Sequence, residues 1–191
     1  MLDMEPATRV LAGIVGNVRD DQLDAPTPCT ESSLGDLIDH VDGFCRAFTG
    51  AAVKSPVDGT PRASGANLGD DWRTRIPERL DALARAWRDP QAWQGMTRAG
   101  SFDMPAEVAG VVALDEVILH GWDIAVASGQ PYDCEPELLE AALGFVQATV
   151  ARNPDGTPGL FGPPVTVAED APLLSRVLAL SGRDPGWRAG R

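Results

Sequence analysis

Apolar residues recur every three or four positions in four long stretches of this 191-residue sequence, and that spacing limits the fold more than any other feature. A period of 3.6 residues places such side chains on one face of a helix, which then has to be buried against other helices. The stretches predict helices at about 5–19, 32–49, 70–88 and 106–128, with two further helices at 135–152 and 172–180 inside C-terminal additions at 135–187. We therefore expect an all-α protein of one domain, residues 1–191, built as a helix bundle.

Composition marks the connections between these helices. Residues 50–68 are rich in Gly, Pro, Ser and Asn, which suits a long crossover or a lid better than a tight turn. The second helix is predicted to begin at Ser32 or Ser33, because either hydroxyl can cap it, and Asp36 in its first turn meets the helix dipole. Residues 88–105 are predicted to be a loop.

The charge balance argues against nucleic acid and membranes as partners. The sequence has 28 acidic and 16 basic side chains, and its net charge of -12 repels phosphate backbones and anionic lipid. No segment reaches the roughly 18–20 consecutive apolar residues of a membrane span, and the first ten residues do not resemble a signal peptide. Cys29, Cys45 and Cys134 form no C-x-x-C pair and are expected to be reduced thiols. We expect a cytoplasmic protein.

The chain contains two histidines, His40 and His120, and the second stands in the most apolar predicted helix. Glu116 lies four residues before His120 and Asp123 three residues after it, so the three side chains project from one stripe of that helix. A carboxylate and an imidazole placed in a core cost several kcal/mol unless each has a partner. A metal ion is an efficient partner for both, and the stripe therefore indicates a candidate metal site.

Small residues accompany these polar positions on both helices. On the stripes that pass through the two histidines they are Gly43, Ala47, Ala109, Ala113 and Ala127. Facing stripes of small residues around polar ones predict a cavity between the two helices rather than a packed seam.

Simpler interpretations of the same residues stay open. Glu116 and His120 are spaced as an ordinary i,i+4 ion pair, which stabilises a helix without any ligand. Asp36, four residues before His40, suits either a first-turn residue that meets the helix dipole or a hydrogen-bond partner of that imidazole. Cys45 lies about 140° around the helix from His40, so the two cannot share a metal. The sequence lacks the common nucleophile, metalloprotease, phosphate-loop and dinucleotide-binding motifs.

Two segments resemble a known family: PTPCTESSLGDLIDHVDGF, which contains His40, and LDEVILHGWDIAVASGQ, which contains Glu116, His120 and Asp123. They are similar to DinB-like metal-binding proteins, and more closely to the N-terminal domain of mycothiol-dependent maleylpyruvate isomerase and its stand-alone actinobacterial relatives. The closing LLSRVLALSGRDPGW is similar to the usual end of the stand-alone members. The resemblance implies a DinB-like four-helix bundle with one long crossover connection.

The resemblance also implies a cofactor and the residues that hold it. Family members bind a divalent metal, typically zinc, through His, Glu and His, and these ligands correspond here to His40, Glu116 and His120. Ni²⁺ or Fe²⁺ could take the place of Zn²⁺. Asp123 matches an acid beside the metal and is the candidate catalytic residue. Three protein ligands with an open fourth position are typical of catalytic zinc.

The implied function is activation of a low-molecular-weight thiol of the mycothiol type, held on the metal as a thiolate. Adding the thiolate to an electrophilic small molecule would make the protein a transferase, or an isomerase if the thiol is expelled after rotation about a bond. The same site with bound water would be a hydrolase. The same residues would also suit a metal sensor or carrier without catalysis, or a His–Glu–His core without metal.

The chain departs from the isomerase in two ways. It lacks a full second domain after the bundle, which leaves the electrophilic substrate open. It also carries TESSL where relatives often have a tryptophan at the entry to the second helix. The oligomeric state stays open as well, a homodimer included.

Overall fold

The computed structural model describes residues 2–57 and 62–189, which are mostly helical. The α-helices in these ranges are α1 (Glu5–Asn17), α2 (Leu34–Ala52), α3 (Trp72–Trp87), α4 (Ala106–Ser128), α5 (Pro136–Arg152) and α6 (Leu173–Leu180). Two short strands, β1 (Met96–Ala99) and β2 (Phe102–Pro105), separate α3 from α4. Every predicted helix is present, and no end differs from its prediction by more than three residues.

The first four helices share one core, and α4 is the most apolar of them. α1 packs against α3 and α4, and α2 packs against the same two helices. α4 is apolar on nearly every side, so it has to be surrounded, and α5 and the two strands cover its remaining faces. None of the helices in the described ranges has the length and apolar run that crossing a membrane requires.

α2 begins with a reciprocal pair of hydrogen bonds. The Ser33 hydroxyl accepts from the Asp36 amide at 3.2 Å, and the Asp36 carboxylate accepts from the Ser33 amide at 3.0 Å. This arrangement is a capping box. Of the two serines that the sequence allows as caps, the structure selects Ser33, and Asp36 serves the helix start rather than the His40 imidazole.

The end of the crossover is fixed against α2 by two carboxylates. Asp36 Oδ1 accepts from the Gly65 amide at 2.8 Å, and Asp39 Oδ2 accepts from the Ser64 amide at 2.9 Å. Residues 58–61 of the predicted crossover lie outside the described residues. The described end of this connection therefore docks on the N-terminal half of α2.

The prediction of a loop at 88–105 is wrong in its second half, and the fold is therefore not purely α-helical. β1 and β2 pair as an antiparallel hairpin around Gly100 and Ser101, and Gly100 has a φ of 57°. A two-residue connection that begins with glycine is a hairpin signal, but strands of four residues are too short to show a clear period of two. Thr97 Oγ1 donates to the Ala51 carbonyl at 2.6 Å, which attaches the hairpin to the end of α2.

The two C-terminal helices bring their loops to α4. α5 packs against both α4 and α6. After α6, Gly182 adopts a φ of 86° and lies against Gly162, so close that a Cβ on Gly182 would stand 2.7 Å from the Gly162 backbone. Only glycine fits this crossing, because any side chain would both strain the backbone and collide. The crossing holds the loops after α5 and after α6 together.

Ser33→Ala should lower the free energy of unfolding by about 1 kcal/mol, because the Asp36 amide at the start of α2 loses its acceptor. Ser32→Ala is the matched control, since only the backbone of Ser32 is hydrogen-bonded in the described structure, and its effect should stay within about 0.5 kcal/mol. Urea unfolding followed by circular dichroism measures both. Equal losses in the two variants would contradict the assignment of the cap.

Candidate metal site

Three polar side chains project from one stripe of α4. Glu116, His120 and Asp123 stand at positions i, i+4 and i+7, and helical geometry places them one above another. The Asp123 side chain is 0% exposed, and those of His120 and Glu116 are 14% and 18% exposed. The stripe predicted from the sequence is present, and it faces the protein interior.

His40 reaches the same stripe from α2. Its Nε2 lies 3.2 Å from Glu116 Oε2, and His120 Nε2 lies 3.1 Å from the same oxygen. The two imidazole rings meet edge to face with their centroids 4.8 Å apart, and Phe44 packs against the His40 ring. The structure therefore brings together all three residues that the resemblance implies as ligands. Their role as ligands stays a prediction.

His120 is held by a second carboxylate on the other side of its ring. His120 Nδ1 lies 3.0 Å from Asp123 Oδ2, so in the neutral imidazole this nitrogen carries the proton and Nε2 presents its lone pair. Arg183 binds the same carboxylate with two parallel hydrogen bonds, from Nε to Oδ1 at 2.9 Å and from Nη2 to Oδ2 at 2.8 Å. Arg183 thus fixes the Asp123 carboxylate, and this carboxylate fixes the orientation of the His120 imidazole.

The charges of this cluster shift the pKa values of its members. Burial raises the pKa of the Glu116 carboxyl, but hydrogen bonds from His120 and His40 outweigh burial and hold that pKa below its usual value. Burial lowers the pKa of His120, whereas its hydrogen bonds, above all to Asp123, raise it well above the usual value. Burial likewise raises the pKa of Asp123, and the Arg183 charge brings it below the usual value. The site thus favours a positive charge on His120, between the negatively charged carboxylates of Glu116 and Asp123.

A second set of candidate ligand atoms lies next to the first. Cys29 Sγ belongs to it together with His120 and Asp123, and the Cys29 thiol donates to Asp123 Oδ2 at 3.4 Å. The Arg183 guanidinium already occupies the neighbourhood, since its Nη2 lies 3.7 Å from Cys29 Sγ and 2.8 Å from Asp123 Oδ2. A second cation would be repelled there. Among the described residues, this leaves the group of His40, Glu116 and His120 as the candidate metal site.

That group fits a divalent metal by its chemistry and by its distances. Two imidazoles and one carboxylate form a donor set that zinc takes in three-ligand catalytic sites. The ligand atoms of His40, Glu116 and His120 all lie within 4.8 Å of one another, so an ion bound at about 2.0–2.2 Å from each requires only small side-chain shifts. Metal-binding histidines commonly donate their other nitrogen to a carboxylate, as His120 does to Asp123.

A cavity of about 510 Å³ opens beside the three residues. Parts of α2 and α4 line it together with the loops at 28–32, 159–162 and 181–183. The predicted origin of this cavity is wrong, because Ala109 and Ala113 are 0% exposed and pack into the core. Small side chains within a helix let neighbouring helices approach and fill the space, so they leave no cavity here. The open space lies instead beside the histidines, where loops form much of the wall.

Two functional candidates could not be found from the sequence. Cys29 is interpreted from the sequence only as a reduced thiol, and the structure places it in the cavity wall beside Asp123. Arg183 lies 60 positions after Asp123, and no periodic pattern relates the two. The one signal that could have indicated Arg183 is its place in the closing SGRD segment, which resembles the end of stand-alone family members.

Comparison with known proteins decides the family. Residues 4–125 match the family model of the mycothiol maleylpyruvate isomerase N-terminal domain. This chain belongs to that family. The part that matches the mycothiol maleylpyruvate isomerase N-terminal domain contains His40, Glu116, His120 and Asp123, whereas Arg183 lies beyond it.

Two proteins of known sequence and two solved structures are similar to this chain. Two uncharacterized proteins of Mycobacterium tuberculosis, from strains CDC 1551 / Oshkosh and ATCC 25618 / H37Rv, are each 28% identical over 177 residues, which is 93% of this chain and 93% of theirs. A crystal structure of a histidine-to-alanine mutant of mycothiol-dependent maleylpyruvate isomerase matches with a TM-score of 0.59 at 18% identity. A second structure of that isomerase matches with a TM-score of 0.56 at 19% identity. Both matches cover 75% of this chain and 66% of the isomerase, and they show a common fold.

Cys29 should react with a thiol reagent in the folded protein, whereas Cys45 and Cys134 should not. Cys29 is half-buried in the cavity wall, while the other two are 0% and 7% exposed. Burial also raises the pKa of the Cys45 thiol and raises that of Cys134 to about 11, which leaves little reactive thiolate at neutral pH. Brief treatment with N-ethylmaleimide followed by peptide mass spectrometry measures each site. Unfolded protein, in which all three should react, is the control, and rapid labelling of Cys45 in the folded protein would contradict the prediction.

Proposed function

We propose that this protein is a divalent-metal-dependent enzyme that activates a low-molecular-weight thiol of the mycothiol type. The thiol is then transferred to an electrophilic small molecule or assists its isomerisation. The observation that carries this proposal is the convergence of His40 Nε2, Glu116 Oε2 and His120 Nε2 at the wall of an open cavity. Three protein ligands with an open side are typical of a catalytic metal site.

The family supports the choice of a thiol as the bound molecule. The matching family model is named for a mycothiol-dependent isomerase, and solved structures of that isomerase share the fold. On this basis we assign α1–α4 to a DinB-like four-helix bundle, with its long crossover between α2 and α3. A bound Zn²⁺, or Ni²⁺ or Fe²⁺ in its place, would stabilise the thiolate form of the thiol near neutral pH.

The cavity supports a small-molecule reaction. Its volume of about 510 Å³ lies within the range of roughly 300–1,000 Å³ that is usual for small-molecule sites. His40 and His120 occupy one side of it, and the loop that carries Cys29 and Thr30 forms another. The cavity therefore offers space for a small molecule directly beside the candidate ligands.

Asp123 is the candidate catalytic residue, and its burial indicates how it acts. Its carboxylate is 0% exposed and accepts hydrogen bonds from His120 Nδ1 and from Arg183. We propose that Asp123 acts through His120, because its hydrogen bond to Nδ1 directs the Nε2 lone pair toward the metal position. Asp123 could instead accept the thiol proton directly, and the zinc dependence of an Asp123→Asn variant separates these two roles.

The same distances also suit a structural network without a metal. His40 and His120 both form hydrogen bonds to Glu116, and a satisfied polar network of this kind can stabilise a core by itself. A metal sensor, a metal carrier and a metal-dependent hydrolase would use the same three residues. Metal content separates the structural network from the rest, and thiol-dependent turnover separates our proposal from the sensor, the carrier and the hydrolase.

Glu116→Gln should abolish stoichiometric metal binding while leaving helix content unchanged. The amide is nearly the same size as the carboxylate, but it lacks the negative charge that attracts a divalent cation. Metal affinity should therefore fall by more than the ~10–100-fold that is typical when a residue hydrogen-bonded to a ligand is lost. Metal content is measured by inductively coupled plasma mass spectrometry after zinc loading and dialysis, and helix content by circular dichroism. Glu107→Gln is the matched control, since Glu107 is an exposed residue in the first turn of the same helix.

Wild-type protein without stoichiometric metal after loading would contradict the metal site and favour the structural network. Full metal content in Glu116→Gln would show that this residue is not a ligand.

Asp123→Asn should lower thiol-dependent turnover through weaker metal binding. Asn keeps an acceptor for His120 Nδ1 but loses the charge, so we expect metal affinity to fall by roughly 10–100-fold. Turnover is measured with mycothiol and a panel of α,β-unsaturated acids at increasing Zn²⁺ concentrations, and excess Zn²⁺ should restore most of kcat. A loss of about 100-fold or more that persists at saturating Zn²⁺ would instead identify Asp123 as a general base. Absence of thiol-dependent turnover in the zinc-loaded wild type would contradict the proposed enzyme.

A further inference from the structure

We propose that Arg183 is a positioning residue of the metal site and acts through Asp123 on His120. This inference rests on the metal site of the proposed function and extends it into the C-terminal part of the chain. The family match ends at residue 125, so Arg183 belongs to a segment that the match does not cover. The structure nevertheless places this guanidinium in direct contact with the carboxylate that holds His120.

The donors of Arg183 are directed at Asp123 rather than into the cavity. Nε and Nη2 bind the two carboxylate oxygens at 2.9 and 2.8 Å, and Nη1 binds the Ser181 hydroxyl at 3.2 Å. Two parallel bonds to one carboxylate fix both its position and its orientation. The arginine and aspartate side chains are 10% and 0% exposed, so water screens their attraction little.

The backbone around Arg183 is as closely defined as its side chain. The Arg183 amide donates to the Leu178 carbonyl at 2.9 Å, which ties the residue to the last turn of α6. The preceding Gly182 lies against the Gly162 backbone in a crossing that admits no side chain. The packing of α5 and α6 and of their loops therefore fixes the backbone from which the Arg183 side chain reaches Asp123.

Loss of Arg183 would leave Asp123 without its guanidinium partner. The carboxylate then lacks the two parallel hydrogen bonds that fix its position and orientation. A carboxylate that can turn no longer holds its hydrogen bond with His120 Nδ1 in one direction. The Nε2 lone pair of His120 then loses its fixed direction, and metal affinity falls.

The Zn²⁺ affinity of the metal-free protein, measured by isothermal titration calorimetry, tests this role. Arg183→Gln should weaken Zn²⁺ binding by about 10-fold or more, since losing an outer partner costs roughly that factor. Arg183→Lys should recover part of the loss, because the ammonium keeps the charge but cannot form both parallel bonds. The visible absorption of the Co²⁺-loaded protein is the second readout, because it reports ligand geometry and should change in Arg183→Gln. Arg188→Gln is the matched control, since Arg188 is exposed in the same segment and, within residues 2–57 and 62–189, its side chain bonds only to the Trp187 carbonyl.

A double variant shows whether Arg183 acts through Asp123. Once Asp123→Asn has been made, adding Arg183→Gln should weaken Zn²⁺ binding no further, because the carboxylate that Arg183 orients is already gone. If Arg183→Gln alone fails to fold, the double variant still tests the inference, because it removes both charges of the buried pair together. Independent, additive losses would overturn the inference.

Two further results would count against this role of Arg183. Unchanged Zn²⁺ affinity and an unchanged Co²⁺ spectrum in Arg183→Gln, with lower thermal stability alone, would make Arg183 a structural residue and overturn the inference. Failure of the wild type to bind Zn²⁺ would overturn the metal site itself, and this result is obtained before any variant is compared.

Discussion

This site depends on one constraint, which is that every charged side chain buried among the helices needs a partner of opposite charge. α4 is the most apolar helix of the chain, yet it carries Glu116, His120 and Asp123 on one inward stripe. Buried charges are tolerated only with well-placed partners, and the chain supplies these from distant segments. His40 comes from α2, and Arg183 comes from the end of α6. The packing of α2 and α5 on α4, and of α6 on α5, thus determines whether the site exists.

The helices could be predicted from the sequence because their apolar period is a local signal. α2 illustrates this best, since its apolar residues recur every three or four positions between Leu34 and Ala52 and Ser33 caps its first turn. The same period places Glu116 and His120 on one stripe. Their meeting with His40 is a different kind of prediction, because it rests on a family resemblance and on the rarity of histidine in this chain.

The rest could not be predicted because it depends on contacts between loops that have no period. Arg183 reaches Asp123 because α5 packs on α4 and α6 packs on α5, whereas Cys29 reaches it from the loop before α2. The alanines of α4 illustrate the converse error, since Ala113 suggests open space in the sequence but is packed tightly in the structure. A residue pattern indicates which side chains turn inward, whereas the tightness of packing around them depends on elements elsewhere in the chain.

Three glycines, Gly159, Gly162 and Gly182, line part of the cavity. Gly182 admits no other residue, since its φ is 86° and a Cβ would stand 2.7 Å from Gly162. The shape of the cavity at this position is therefore set by a requirement of folding, and it cannot be changed by mutation without a cost to stability. Thr30, an exposed residue that also lines the cavity, is under no such constraint, so the size of the cavity can change there while the fold is kept.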